Sequence, residues 1–458
     1  MIKRIGAPIP FVSRELFGGK GMNLLELGEE FPIPEGFVLS SEVYVDFMMK
    51  NNLVNVIREI IEKNNDNLGN TEREIKVEFE KADFPKTVED VVEKELERIQ
   101  RISPDPIAIR SSGIDEDGSK SSFAGQHDSF FGKFDTSEVL DYLKKCYASA
   151  FNAVALKYRQ DHNLDLPKGM AVVVQNMKDF RAGFVVYSAA PFDYEHVLIE
   201  AAPGHCKSVV DGRPVDSYKV SSLQQINSKI NSRKDKMWVF DSSTGRLKIV
   251  DTPKEIRNKS CLSDKEVLEI TDIALEIEQC YAIGYPNVRK PQDIEGGYDI
   301  SGKLWITQSR DITGMSFKAP DIVLPDLKTT LGFSYNVGHG GIYDGPVVLV
   351  EEVDPNGTDF RLKKNEDITR LDQKFSSGYV LVTPETNPTL DYHLNNCRAI
   401  VATECGIMSH AGATARERGL IFVGCVESND KRKLQDRLNH GDVVCVGANK
   451  EKGVIGYR

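Results

Sequence analysis

The 458-residue sequence has only two tryptophans, no C-x-x-C pair among its eight cysteines, no long apolar run and no excess of basic residues. Each absence excludes something. The cysteines (Cys146, Cys206, Cys261, Cys280, Cys397, Cys405, Cys425, Cys445) are scattered, which argues against a zinc site and against the disulfide framework of a small secreted scaffold. They read as reduced thiols of a cytoplasmic protein. No stretch approaches the roughly 18 apolar residues that a membrane-spanning helix requires, and the N-terminus Met1-Ile-Lys-Arg-Ile-Gly6 has no signal-peptide core. A formal net charge of −11 speaks against nucleic acid and anionic membrane surfaces as partners. An anionic ligand would have to be met by local basic side chains. At roughly 100–200 residues per domain, the length suits two to four domains.

What is present alternates helix and strand signals, so the fold class expected is multidomain α/β and α+β. Helical periodicity runs over Gly21–Glu30, Ser41–Asn51, Val54–Lys63, Val88–Arg101, Ser137–Asp161 and Asp264–Ile283, with strands at Gly36–Ser40, Ile107–Arg110, Met170–Gln175, Ala182–Tyr187, Val197–Glu200 and Tyr218–Val220. Gln292–Asp299 and Lys303–Gln308 read as a hairpin across Ser301-Gly302. Past Thr313 the pattern weakens. Residues 316–345, with Pro320, Pro325 and the glycines 338, 340 and 341, read as a connector between mobile domains. Short strands then alternate with helices to the end of the chain, at Val347–Val350, Tyr379–Val382, Ala399–Ala402, Leu420–Val423 and Val443–Val446.

The richest stretch is Cys405-Gly-Ile-Met-Ser-His410-Ala-Gly-Ala-Thr-Ala-Arg-Glu417, which puts one histidine at the start of a small-residue helix. Neutral imidazole is a good nucleophile, and the first-turn N–H groups of a helix receive phosphate oxygens. A histidine in this position is equally a surface cap. Gly18-Gly-Lys20-Gly21 opens a helix where backbone could approach a phosphate, although the Walker A spacing is absent and a glycine turn with a solvated lysine has the same pattern. Arg110-Ser-Ser ends a buried-looking strand, and a strand-end guanidinium suits polyphosphate. Ser122-Phe-Ala-Gly125-Gln126 adds a small-residue loop, and Asp115-Glu-Asp117 reads as a solvated turn. In the drawn hairpin Glu295 and Gln308 face one another and could hold Mg²⁺, with Arg310 two residues beyond Gln308 on the same strand face.

Taken together, Gly18-Gly-Lys-Gly-Met-Asn-Leu24 with Pro34-Glu-Gly-Phe37, Arg110-Ser-Ser with Ser122–Gln126, Val172-Val-Val-Gln-Asn-Met177, Pro291-Gln-Asp-Ile-Glu295, Leu304-Trp-Ile-Thr-Gln-Ser-Arg310 and Ser409-His410-Ala411 resemble, in order, the family of phosphoenolpyruvate synthase and pyruvate phosphate dikinase, which includes rifampin phosphotransferase. The resemblance implies a two-lobed ATP-grasp nucleotide-binding domain followed by a small α/β swivelling phosphohistidine domain. The expected boundaries are 1–315 for the first, with lobes 1–190 and 191–315, then the connector 316–345, and 346–458 for the histidine domain. It further implies that Lys20, Arg110 and Arg310 hold the phosphates of Mg-ATP, that Gln175 to Met177 form the hinge against adenine, and that Gly125, Gln126 and Ser129 lie in the loop over the phosphates. Glu295 and Gln308 would hold the metal, and His410 would take the β-phosphoryl group, releasing AMP; the γ-phosphate goes to water in the synthase type or to phosphate in the dikinase type, with water the expected co-acceptor and Lys207 leaving the choice open.

This sequence departs from the family pattern in several places. Met408 stands where a threonine is usual, Cys405 replaces a glycine, Gly204-His-Cys-Lys207 replaces Gly-Leu-Gly-Glu, and Gly296 follows the metal-site glutamate. The expectation is also that neither a pyruvate-binding barrel nor a drug-binding domain fits in 458 residues. The acceptor is then either a small molecule or a separate acceptor subunit served by a phosphocarrier. The alternatives from other classes are a nucleotide-responsive binding protein without turnover and an ATP-grasp ligase that joins a carboxylate to an amine through an acyl phosphate and makes ADP.

Overall fold

The first glycine cluster breaks a helix and restarts it. The Arg14–Leu27 helix is interrupted at Gly18, whose φ of 63° and ψ of 174° lie far outside helical values. That left-handed φ favours glycine. Space demands it as well, since a Cβ there would lie 2.3 Å from both the carbonyl oxygen and Oγ of Ser112.

A computed structural model describes the chain except for residues 9–11, 65–66, 104, 115–116, 119–120, 123–128, 133–134, 162–163, 192, 242–245, 283–288, 313–321, 335, 354–359, 387–389, 391–393, 429–431 and 450–451. It is mixed α/β and divides into two units. The first comprises Met1–Asp179, Phe240–Lys248 and Asp299–Arg310, and the second Phe180–Val239, Ile249–Tyr298 and Asp311–Arg458.

In the first unit a five-stranded sheet runs Ile2–Arg4, Gly36–Leu39, Met170–Asn176, Ile107–Gly113, Ser129–Gly132, every neighbouring pair antiparallel. Met170–Asn176 is buried along its whole length, as an apolar run of Val and Ala at the middle of a covered sheet requires. Amphipathic helices cover one face. Lys86–Ile102 buries Val88, Val92, Leu96 and Ile99 at helical spacing, and Ser41–Lys50 and Leu68–Lys81 bring Phe47 and Phe79 into the same apolar cluster. The long helix read over Ser137–Asp161 is two helices, Thr136–Ser149 and Ala153–Asp161. Asn152 makes the break, its Oδ1 accepting from Ala155 N at 2.7 Å as a new N-cap.

Among the described residues the second unit holds two large sheets. One carries, in order, Ile226–Ile230, Asp216–Ser221, His196–Pro203, Phe180–Tyr187 and Gln292–Asp299, the first four in antiparallel pairs, backed by the Asp264–Cys280 helix, which starts with a full capping box at Ser263 and Glu266. The other is ten-stranded. Within it Gly341–Val353, Tyr379–Thr383, Cys397–Ala402 and Ile421–Gly424 lie side by side and parallel, which is the expected α/β alternation.

The segment read as a connector differs from that reading. Thr329–Ser334, Asn336–His339 and the first residues of Gly341–Val353 are strands of this same ten-stranded sheet, paired with Gly453–Tyr457, Ile421–Gly424 and Val443–Ala448 respectively. The glycines that resembled a linker are close-approach positions. A Cβ at Gly341 would meet Ile421 Cγ1 at 2.6 Å, and one at Gly338 would meet Phe422 Cδ1 at 3.0 Å. Small residues in strands erase the alternation on which a strand is recognised.

Candidate functional site

In the first unit, four of the residues singled out come together through backbone contacts. Lys20 stands on the restarted helix, and its Nζ donates to the Ser111 carbonyl at 3.5 Å. Ser112 fastens the glycine loop to the neighbouring strand, since its Oγ accepts from Gly21 N at 3.0 Å and donates to the Phe17 carbonyl at 2.8 Å. Arg110, half-buried on that strand, donates from Nη1 to the Thr307 carbonyl at 2.8 Å, and Asn23 Nδ2 donates to the Ser309 carbonyl at 2.8 Å. Both contacts hold the Leu304–Asp311 strand by its main chain. Gln308 and Arg310, two residues apart, therefore share the other register of that strand. Gln308 is buried and Arg310 half-buried.

Gln175 and Met177 sit at the far end of the Met170–Asn176 strand and beyond it. The Gln175 amide donates to the Pro34 carbonyl at 3.2 Å, and Met177 N donates to the Pro106 carbonyl at 2.7 Å, both residues being buried. Ser129 is the register partner of Arg110 across the antiparallel strands. Gly125 and Gln126 lie outside the described residues.

Glu295 and His410 lie in the second unit. Glu295 is half-buried on Gln292–Asp299, with the Cys206 thiol 3.9 Å from its Oε2. Lys207, the basic residue in place of an acid, is engaged locally. Its Nζ pairs with Asp211 at 2.8 Å and lies 5.1 Å from the Trp238 ring centroid.

His410 is the first residue of the His410–Arg418 helix, which joins the parallel strands Cys397–Ala402 and Ile421–Gly424. It thus stands beyond the carboxyl end of a strand at a helix start, the usual place for a functional side chain in an open α/β sheet. Ser409 is the N-cap. Its Oγ accepts from Gly412 N at 3.4 Å and donates to the Gly406 carbonyl at 2.7 Å. Gly419, with φ of 64°, closes the other end in the left-handed conformation. Met408, whose side chain departs from the family's threonine, is buried in an apolar cluster with Ile407, Cys405, Leu198 and Val209. Burial pushes the Cys405 thiol well up, so that cysteine is an inert packing residue at neutral pH.

Sequence reasoning missed Ser112 and Asn23 in the first unit, and in the second Glu200, whose carboxylate accepts from Ile407 N and Met408 N in the loop before His410. Ser112 was visible as the second serine of Arg110-Ser-Ser, and Asn23 as a polar residue inside a buried helical face. Glu200 carried the signal of a carboxylate closing an apolar strand, Val197-Leu-Ile-Glu.

Close to the histidine loop, burial pushes the Glu385 carboxyl from its ordinary 4.5 up to about 8, with Arg213 and Lys207 opposing the rise and Asp211 and Glu404 adding to it. A raised folded-state pKa stabilises the fold below the unfolded value of 4.5, and that contribution is lost as the pH climbs through 8. Glu385→Gln should therefore melt with the wild type near about pH 4 and above it at about pH 9, the gap reaching up to roughly 5 kcal/mol at about 1.4 kcal/mol per unit. Parallel melting curves across that range would refute the assignment.

Among the described residues no group of three or more His, Cys, Asp or Glu side chains is placed to hold a metal ion, and no helix is long and apolar enough to cross a membrane.

The family described as "Pyruvate phosphate dikinase, AMP/ATP-binding domain" matches residues 14–330, and that described as "PEP-utilising enzyme, mobile domain" matches residues 375–450. The chain belongs to the pyruvate phosphate dikinase and phosphoenolpyruvate synthase family. It is 30% identical over 413 residues to a probable phosphoenolpyruvate synthase of Methanocaldococcus jannaschii, covering 86% of this chain and 32% of that protein. It is 31% identical over 449 residues to a probable phosphoenolpyruvate synthase of Methanothermobacter thermautotrophicus, and 27% over 512 residues to the phosphoenolpyruvate synthase of Pyrococcus furiosus, covering 94% of this chain and 60% of each relative. The chain thus spans from a third to three fifths of the length of these relatives.

Proposed function

We propose that the chain is an ATP-dependent phosphotransferase of the dikinase type, which passes the β-phosphoryl group of ATP through His410 to a small-molecule acceptor and releases AMP and phosphate. The single observation that carries this reading is the setting of His410 at a capped helix start. In this reading residues 1–315 are the two-lobed ATP-grasp domain, the phosphohistidine domain starts with the Thr329–Ser334 strand of the ten-stranded sheet rather than at 346, and ATP is gripped by Lys20, Arg110 and Arg310 with its adenine along Gln175 to Met177. Ser129, with Gly125 and Gln126, covers the phosphates.

The chemistry divides into two half-reactions. A neutral imidazole nitrogen of His410 attacks the β-phosphorus, the bond from that phosphorus to the α-phosphate oxygen breaks, and AMP departs. Water takes the γ-phosphate, leaving one phosphoryl group on the imidazole. The acceptor's nucleophilic atom then takes it, and the histidine returns to its neutral state. Fixed guanidinium and ammonium charges neutralise the oxygens while the phosphoryl group is in flight.

In this reading the Glu295 carboxylate and the Gln308 amide oxygen would hold Mg²⁺, which keeps waters and phosphate oxygens in its remaining positions. When bound with ATP, the ion supplies charge neutralisation across the phosphates.

The test is to incubate the protein with Mg-ATP labelled at the β or at the γ position. Acid-labile label retained on His410 from the β position, with AMP formed, supports the proposal; ADP as product, or label on His410 from the γ position without label from the β position, refutes it.

A further inference from the structure

The apolar cluster that joins the His196–Pro203 sheet to the histidine domain in the second unit contains one conspicuous charge at its margin. Glu200 is 1% exposed, on a strand flanked on both sides in the sheet, opposite Val185 and Ser217. Burying a carboxylate is unfavourable unless each oxygen is given donors. Here Oε1 accepts from Ile407 N at 3.2 Å and Oε2 from Met408 N at 3.3 Å. Two adjacent amides of the loop that leads into His410 are held by one carboxylate.

The surroundings are shaped for that grip. A Cβ at Gly406 would lie 2.2 Å from Glu200 Oε1, so any larger residue drives the carboxylate off the loop. On the opposing side, Gly212 has φ of 74°, and a Cβ there would sit 2.4 Å from Cys405 Cβ and 3.3 Å from Ser409 Cβ. The gripped loop is rigidly joined to the histidine helix. Arg416 Nη1 donates to the Ile407 carbonyl at 3.1 Å, and Ser409 ties the Gly406 carbonyl to the first turn. Displacement of Ile407 and Met408 is therefore passed directly to His410.

Apolar contact adheres without direction, whereas hydrogen bonds are lost within a few tenths of an ångström and so fix register. A carboxylate and two amides are also groups that water accepts readily when they separate, which suits a contact made and broken in each cycle.

We propose that Glu200 is a positioning residue that sets His410 in the pose in which it receives the phosphoryl group, by clamping the amides of Ile407 and Met408. This rests on the reading of His410 as the phosphoryl acceptor. Glu200→Gln keeps the size but turns an N–H toward one of the two amides, and Gly406→Ala attacks the same grip from the loop side without touching the sheet.

The experiment uses the full chain in three measurements. Single-turnover transfer from Mg-ATP to His410 should fall by about ten- to a hundredfold in both variants, the cost of a misplaced reacting group. ATP affinity and labelling of His410 by phosphoramidate, a small donor that needs no docking, should stay at wild-type values; a merely structural defect would lower them too. Hydrogen exchange at the Ile407 and Met408 amides should accelerate. Wild-type transfer rates and unchanged exchange in both variants overturn the proposal. If the wild type takes no label from ATP while exchange still accelerates in the variants, the phosphotransfer reading fails and the clamp stands as a docking contact.

Discussion

On the proposed mechanism, His410→Asn should stay folded and bind ATP, and should lose β-phosphoryl incorporation and AMP formation altogether. The histidine is half-buried at the first position of its helix, next to the Ser409 cap. What the amide lacks is a nucleophilic ring nitrogen. If His410 is the nucleophile, no covalent intermediate can then form, and the charged groups proposed to grip ATP should bind it without a partner to receive the phosphoryl group. The drop should exceed about 10⁴-fold, the scale seen when a covalent nucleophile is removed. AMP release at wild-type rates from this variant would sink the histidine mechanism, and nucleotide affinity measured alongside separates loss of chemistry from loss of binding.

Lys234→Met destabilises the second unit by about 3–5 kcal/mol, the range for breaking a buried ion pair from one side. Lys234 is 1% exposed and its partner Asp216 is fully buried. The ammonium also donates to Asn231 Oδ1 at 2.9 Å and to the Ser232 carbonyl at 2.8 Å, while Asp216 accepts from Cys261 N at 2.9 Å and Ser232 N at 3.2 Å. Removing the ammonium abandons a carboxylate in the interior with two backbone donors and the Cys261 thiol. At about 2–4 °C per kcal/mol for a domain of 150–250 residues, the melting temperature should fall by about 10 °C. The double variant Asp216→Asn with Lys234→Met should recover part of the loss, because removing both charges is far less damaging than removing one. Equal melting of the single variant and wild type would show that the pair carries no net stability.

Order along the chain was legible from residues alone. Apolar runs such as Val172–Val174 and Tyr379–Val382 mark central strands, and Ser409-His410 followed by small residues marks a capped helix start, because these patterns depend on neighbours in sequence. The break at Asn152 was harder to read, since both flanking helices keep the same apolar periodicity and only the cap reveals the discontinuity. Strands within 329–345 were hidden for the opposite reason, their glycines being selected by contacts to Ile421 and Phe422 roughly eighty residues away. Lys20 and Arg110 announced themselves by charge in glycine- and serine-rich settings. Glu200 did not, because its role depends on amides two hundred positions later, and amides carry no residue signature.

The strands between 329 and 353 determine where the chain can be cut. An excised C-terminal fragment beginning at residue 346 would start inside the Gly341–Val353 strand and lack Thr329–Ser334 entirely. The Val443–Ala448 and Gly453–Tyr457 strands would then each lose a neighbour along most of their length, and bare strand edges recruit other chains. Such a fragment should aggregate on expression, whereas one beginning near residue 322 keeps both edges covered and retains Pro325 against Gly447.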